Sequence, residues 1–226
     1  TPVLSKMGGA QWDRVKSKAG KSIRELAERL LKVYAEREIT PGIAFDKDNI
    51  MQREFEDSFP YIETPDQLTA IQKIKEAMEK PQPMDMLLCG DVGFGKTEVA
   101  MRAVFKCVVS GYQAMVLVPT TVLSQQHYKN FVKRMEPFGV RVAVLNRFVS
   151  AKEKRVILQK LAAGELDVII GTHAILNKKI HCHKLGLLVV DEEQRFGVVQ
   201  KEKWKSWSTG IDVLALSATP IPRTLH

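Results

Sequence analysis

Eight residues, Gly90-Asp91-Val92-Gly93-Phe94-Gly95-Lys96-Thr97, stand between an apolar run, Met86-Leu87-Leu88-Cys89, and a helical pattern from Glu98 to Val109. Their spacing is G-x-x-x-x-G-K-T, and strand–loop–helix is the context that separates a true phosphate-binding loop from a chance match. The glycines let successive backbone N–H groups turn inward and cradle phosphate oxygens. The N-terminus of the following helix adds positive potential at the same point. Lys96 supplies a mobile charge to the outer phosphates, and the Thr97 hydroxyl is a hard oxygen ligand for Mg2+. The loop therefore points to a bound nucleoside triphosphate, ATP with Mg2+. A glycine-rich turn with an accidental Lys-Thr would not come with this spacing in this setting.

From Met84 onward, strand and helix patterns alternate. Apolar runs at Met86–Cys89, Met115–Val118, Val140–Leu145, Val168–Ile170, Leu187–Val190 and Val213–Leu216 read as strands buried on both faces. Helical patterns fall at Glu98–Val109, Val122–Met135, Ala151–Ala163 and near Gln200–Trp207. Alternation of this kind predicts an α/β fold, a doubly wound parallel sheet with helices on both faces. Ligands of such sheets sit at the carboxyl ends of the strands, where Gly90, Pro119, Gly171, Asp191 and Ser217 all fall.

Upstream, Trp12, Val15, Ala19, Ile23, Leu26, Leu30, Leu31 and Tyr34 follow helical spacing opposite a basic face. They predict one long amphipathic helix, weakened near Gly20 and ended by Thr40-Pro41-Gly42. Residues 1–45 are accordingly read as a helical extension leading into an ATP-binding domain over 46–226. A short helix is expected from Lys47 to Asp57 with Ile50, Met51 and Phe55 inward. Thr64-Pro65-Asp66-Gln67 is a strong helix start, with Thr64 as N-cap, Pro65 in the first turn and Gln67 completing a capping box.

Leu187 to Val190 lead into Asp191-Glu192, two carboxylates at a strand tip. Beside a phosphate-binding loop, Asp191 is read as the residue that holds Mg2+ and Glu192 as the base for the attacking water. Gln67 has two competing readings: it closes the capping box, or its amide reads an adenine edge. Phe59 or Tyr61 could stack on the base or pack into the core. Ser217-Ala218-Thr219, after the next strand, could relay hydrogen bonds between the ATP site and a neighbouring surface.

The net charge of +8 leans toward a polyanionic partner. Thr120, Thr121, Gly171 and Thr172 follow strands and offer hydroxyls and N–H groups to phosphate oxygens. Arg147 is the favoured charged contact, ahead of Lys129, Lys133, Lys152, Lys154, Arg155, Lys178 and Lys179, some of which are solvated helix faces. No apolar run is long enough for a bilayer span, and the N-terminus lacks a signal pattern. The three cysteines, Cys89, Cys107 and Cys182, have no framework spacing and read as reduced thiols of a cytoplasmic protein. His181-Cys182-His183 lacks a second ligand cluster and reads as an exposed turn rather than a metal site. The chain opens at Thr1 and stops at His226 within a Pro-rich turn, so it reads as a piece of something larger.

Taken together, these segments resemble the RecA-like first motor lobe of superfamily-two helicases and translocases. Gln67 matches the adenine-reading Q motif and Gly90–Thr97 motif I. Val118-Pro119-Thr120-Thr121 matches motif Ia, Gly171-Thr172-His173 motif Ib, Asp191-Glu192-Glu193-Gln194 motif II, and Ser217-Ala218-Thr219 motif III. Longer stretches, such as Asp191 to Val198, Ala218 to His226 and Phe59-Pro60-Tyr61, are similar to the transcription-repair coupling branch of that superfamily. The RecG branch typically shows D-E-Q-H at motif II, and DEAD-box RNA helicases D-E-A-D. Asn146 stands where Ser is common, and Met86 where a basic residue is common. The resemblance implies an ATP-driven translocase of double-stranded DNA. It also implies partners, RNA polymerase and excision-repair factors, reached through domains outside these residues. A second lobe carrying an arginine finger is likewise expected beyond them, leaving this piece monomeric with little ATPase activity. A RecG-like fork-remodelling helicase is the alternative.

Overall fold

The computed structural model describes residues 40–177, 180–197 and 208–218, together with Ser17, Gly20, Gln200, Lys201 and Trp204. The chain forms two compact units, Thr1–Ile39 and Thr40–His226. In the first, Ser17 and Gly20 are helical; the rest of the long helix expected around them lies outside the described residues.

In the second unit, the elements run α1 (Ile50–Asp57), α2 (Pro65–Met78), β1 (Asp85–Cys89), α3 (Lys96–Val109), β2 (Gln113–Leu117), α4 (Thr121–Met135), β3 (Val142–Leu145), α5 (Ala151–Ala162), β4 (Val168–Gly171), β5 (Leu185–Val190) and β6 (Asp212–Ser217). Gln200, Lys201 and Trp204, from the last expected helix, are also helical. The six strands form one parallel sheet in the order β1-β6-β5-β2-β4-β3.

Side chains of a strand alternate between faces, so a doubly covered sheet needs apolar residues at every position. The strands meet that demand in their interiors, their polar residues Asp85, Gln113, Asp212 and Ser217 falling at strand ends. Ala114, Val116, Val168, Ile170, Leu187 and Val189 join α3, Phe55, Ile74, Met78 and Phe131 in one core. Met115, Leu117, Ile169, Leu188 and Val190 join Leu161, Phe196 and Trp204 in the other. All six expected strands are present. The third is shorter than expected because Val140 N donates to Met135 O at 3.3 Å and Arg141 N to the Asp167 carboxylate at 2.7 Å. Neither N–H is available to the ladder.

The expectation for α1 needs correcting. Asn49 is its N-cap and accepts from Gln52 N at 2.9 Å, so the helix starts at Ile50 rather than Lys47. That phase turns Gln52 and Phe55 inward and leaves Ile50 72% and Met51 44% exposed. Phe55 stacks on Phe105 with ring centroids 4.1 Å apart. Of the polar atoms of buried Gln52, Nε2 donates to Glu56 at 2.6 Å and to the Arg102 carbonyl at 3.3 Å, while Oε1 is buried without a partner.

Candidate functional site

The loop after β1 is shaped as its sequence requires. Gly93 and Gly95 have φ of +89° and +70°, the left-handed region that glycine enters without a Cβ penalty. Gly95 caps α3 through its backbone alone, and no side chain caps this helix start. Its first N–H groups are left for an anion. Lys96 Nζ donates to the carbonyls of Gly90 and Asp91, the latter at 2.7 Å. Phosphate oxygens, being charged, compete well with carbonyls for that ammonium. Beside the loop lies a cavity of about 320 Å³, walled by Thr64, Asp66, Gln67, Ala70, Leu88, Cys89, Gly90, Asp91, Phe94, Lys96, Val99 and Ala218. Val92 is 84% and Phe94 59% exposed, and Thr97 is half-buried.

Gln67 performs its capping role and a second one. Its Oε1 accepts from Thr64 N at 2.9 Å, while its Nε2 donates to Phe94 O at 2.8 Å. A Cβ on Gly95 would come within 2.4 Å of that Nε2, so the glycine also makes room for the amide. One acceptor lone pair and one N–H of Gln67 remain, which is the pairing an adenine edge offers and requires. Phe59 carried two readings, stacking on a base or packing, and its ring contacts in the structure are with protein side chains. Its ring lies 5.4 and 5.6 Å from the guanidinium groups of Arg102 and Arg134, with Tyr61 edge-on at 5.5 Å. It does not form part of the cavity wall.

The two acids are held in fixed orientations. Asp191 N donates to Leu117 O at 2.9 Å, continuing the β2–β5 pairing past the strand end. Asp191 Oδ1 accepts from Glu192 N at 2.9 Å, and Oδ2 lies 2.7 Å from His127 Nε2. Glu192 has φ +53°, the single positive φ outside glycine among the described residues. Such a conformation costs about 1–3 kcal/mol and persists where surroundings impose it. Here Glu192 Oε2 accepts from Gln194 Nε2 at 2.6 Å and pairs with Arg195 Nε at 3.2 Å. Ser217 Oγ donates to Gln194 Oε1 at 3.0 Å. Ser217 is thus linked by hydrogen bonds to Glu192 through Gln194, while Thr219 lies outside the described residues. Thr97 and Asp191 offer a hydroxyl and a carboxylate, the hard and sparse donor set that suits Mg2+. Among the described residues no group of three or more His, Cys, Asp or Glu is placed to hold a metal by itself. Cys182 is half-buried, and burial pushes its thiol up to about 11.

The expected nucleic-acid residues cluster on the other half of the sheet. Thr120 caps α4, accepting from Leu123 N at 3.2 Å, and is exposed; Thr121 is half-buried. Arg147 is exposed, its guanidinium 5.1 Å from the exposed Phe148 ring. Buried Asn146 shapes that loop by accepting from Phe148 N and donating to Ser124 Oγ, each at 2.9 Å. Gly171 and Thr172 are buried, whereas His173 is exposed. Gly171 is needed for strand packing, since a Cβ there would lie 2.5 Å from Leu145 O. Lys178 and Lys179 lie outside the described residues. The sheet order thus divides the site. Gly90–Thr97 and Asp191–Glu192 follow β1 and β5 and Ser217 ends β6, while Thr120, His173 and Arg147 follow β2, β4 and β3. His127 and Gln194 had no individual reading from the sequence. Gln194 was visible only as the fourth residue of D-E-E-Q, and nothing in the local pattern marked His127.

The transcription-repair-coupling factor of Bacillus subtilis (strain 168) is 52% identical over 225 residues, covering 100% of this chain and 19% of that protein. That of Mycobacterium tuberculosis (strain CDC 1551 / Oshkosh) is 53% identical over 225 residues, covering 100% of this chain and 18% of its own length. The chain therefore spans about a fifth of these relatives. Among solved structures, RecG bound to a three-way DNA junction matches 88% of this chain and 26% of its own, with a TM-score of 0.75 and 38% identity. The family profile described as DEAD/DEAH box helicase matches residues 64–226, and the chain belongs to that helicase family.

Proposed function

We propose that this chain is the ATP-binding first motor lobe of a cytoplasmic double-stranded DNA translocase that acts on stalled RNA polymerase and couples transcription to excision repair. The observation that carries the nucleotide reading is the pairing of the phosphate loop with two pre-oriented acids across β1, β6 and β5. Supporting the coupling branch over the RecG-like alternative are identities of 52% and 53% over the whole chain, against 38% with RecG. RNA polymerase and repair factors would be met through other parts of a protein about five times this length.

Bound ATP with Mg2+ supplies an electrophilic γ-phosphorus with its charge neutralised by the metal. Lys96 and the N–H groups of residues 90–97 hold the phosphates. Thr97 and Asp191 would hold the Mg2+. Gln67 offers its remaining acceptor and N–H to adenine. Glu192, fixed by Gln194 and Arg195, accepts a proton from the attacking water. Thr120, Thr121, Arg147 and His173 grip phosphates rather than bases, as a motor that moves along any sequence must. Calorimetry with ATP, with and without Mg2+, tests the nucleotide site directly; failure to bind in Mg2+ overturns it. On the intact protein, movement along duplex DNA without strand separation supports the coupling reading, and efficient unwinding of forks supports the alternative.

A further inference from the structure

His127 lies on α4, is 7% exposed, and packs against Phe131 with ring centroids 6.2 Å apart. Its Nε2 faces Asp191 Oδ2 at 2.7 Å, and its Nδ1 is buried without a hydrogen-bond partner in the protein. A carboxylate only accepts, so the ring hydrogen of a neutral imidazole belongs on Nε2. In that tautomer Nδ1 carries a lone pair and leaves no buried N–H orphaned, which would be the costlier arrangement. His127 is therefore a donor aimed at one oxygen of one carboxylate.

That carboxylate is held on both sides, Oδ2 by His127 and Oδ1 by Glu192 N. Two donors at different oxygens fix the plane of the carboxyl group, and with it the direction of the lone pairs left for a metal. The His127 bond also crosses the division of the sheet. α4 begins at Thr121, beside the proposed nucleic-acid contacts, and carries His127 to the acid that follows β5. Groups that orient a metal ligand from outside typically affect metal affinity about 10–100-fold when removed.

We infer that His127 is a positioning residue for Asp191, whose Nε2–H holds the carboxylate in the orientation that receives the Mg2+ of a bound nucleotide. The inference rests on the nucleotide-site reading above. The test is calorimetric titration of the wild type, H127A and H127Q with the non-hydrolysable analogue AMP-PNP, in Mg2+ and again in EDTA. In Mg2+, H127A should bind about 10–100-fold more weakly than wild type, while in EDTA the two should match. H127Q, whose amide N–H can reach the same oxygen, should recover most of the loss. Should alanine prevent folding, H127N supplies the loss variant, being polar but too short for Oδ2. Wild-type affinity of the loss variant in Mg2+ overturns the inference. So does an equal loss in Mg2+ and EDTA, which would mark a packing role, and so does a glutamine variant no better than alanine. Wild-type protein that binds AMP-PNP under neither condition removes the nucleotide site itself and this inference with it, a failure visible before any variant is made.

Discussion

At the residue scale, the chemistry separates Lys96, Asp191 and Glu192 into roles that mutations can tell apart. Lys96 is the ammonium aimed into the phosphate loop, held there by two carbonyls. Lys96→Ala should leave the fold intact and abolish or sharply weaken ATP binding; near-wild-type affinity by calorimetry in a folded variant would overturn the assignment. Glu192→Gln keeps the shape and the bond to Gln194 but removes the base. In the intact protein it should bind ATP normally and stop turnover, whereas Asp191→Asn should weaken binding only when Mg2+ is present. Wild-type hydrolysis by Glu192→Gln in a steady-state assay would mean the wrong acid was chosen. Lys96 and both acids are legible in the sequence because their roles are written in local spacing. His127 is not, because it meets Asp191 from 64 residues away. Phe59 kept two readings, stacking or packing, for a related reason. An aromatic near a nucleotide site suggests stacking, but what it packs against depends on Arg102 and Arg134, which only the fold brings to it.

At the scale of elements, the segment before α2 is tied to the motor core by buried charge. Lys106, 1% exposed, donates to Asp46 O, Asp48 and Glu79 at 2.6, 2.9 and 2.8 Å, using all three of its hydrogens. Lys75 pairs with Asp48 and Glu56, and Arg102 with Glu63 and Glu98. Burial works to raise the Asp48 carboxyl, but hydrogen bonds from Lys75 and Lys106 outweigh it and hold the group below its ordinary 3.8. Arg102 holds Glu63 below its ordinary 4.5. Both carboxyls are lowered by folding, so their stabilisation is complete above those ordinary values and is lost as pH falls through the lower folded-state ones. The thermal midpoint of wild type should therefore exceed that of an Asp48→Asn, Glu63→Gln variant at about pH 7, and the gap should narrow as pH falls below those ordinary values. A gap independent of pH would assign the effect to packing. The strands were legible because burial on two faces demands unbroken apolar runs. The phase of α1 was not, since Asn49 capping and a buried Gln52 whose Nε2 is bonded overrode its hydrophobic pattern.

At the scale of the molecule, the sheet sets the residues proposed for nucleotide and for nucleic acid side by side at the carboxyl ends of its strands, on β1-β6-β5 and β2-β4-β3. Nucleotide binding needs only the first half, and that half is present: loop, lysine, hydroxyl and two acids. Hydrolysis needs more. In the superfamily that this chain resembles, an arginine from a second lobe stabilises the charge that develops on the transferred phosphoryl group, and such a finger is worth about a thousandfold or more in rate. The 226-residue chain taken alone is a fifth of its relatives' length, and it should bind ATP or ADP as a monomer yet turn over little. Its hold on duplex DNA should be weak, since one lobe offers only the contacts around Thr120, Arg147 and His173. Because those contacts are to phosphates, affinity should fall steeply and log-linearly with salt, whatever the sequence of the duplex. A steady-state ATPase assay with and without DNA, beside a salt series of DNA binding, checks both halves of the expectation. Robust DNA-stimulated turnover would show that the catalytic set is complete within one lobe. A salt-insensitive or sequence-dependent affinity would show that the β2-β4-β3 face does not grip phosphates.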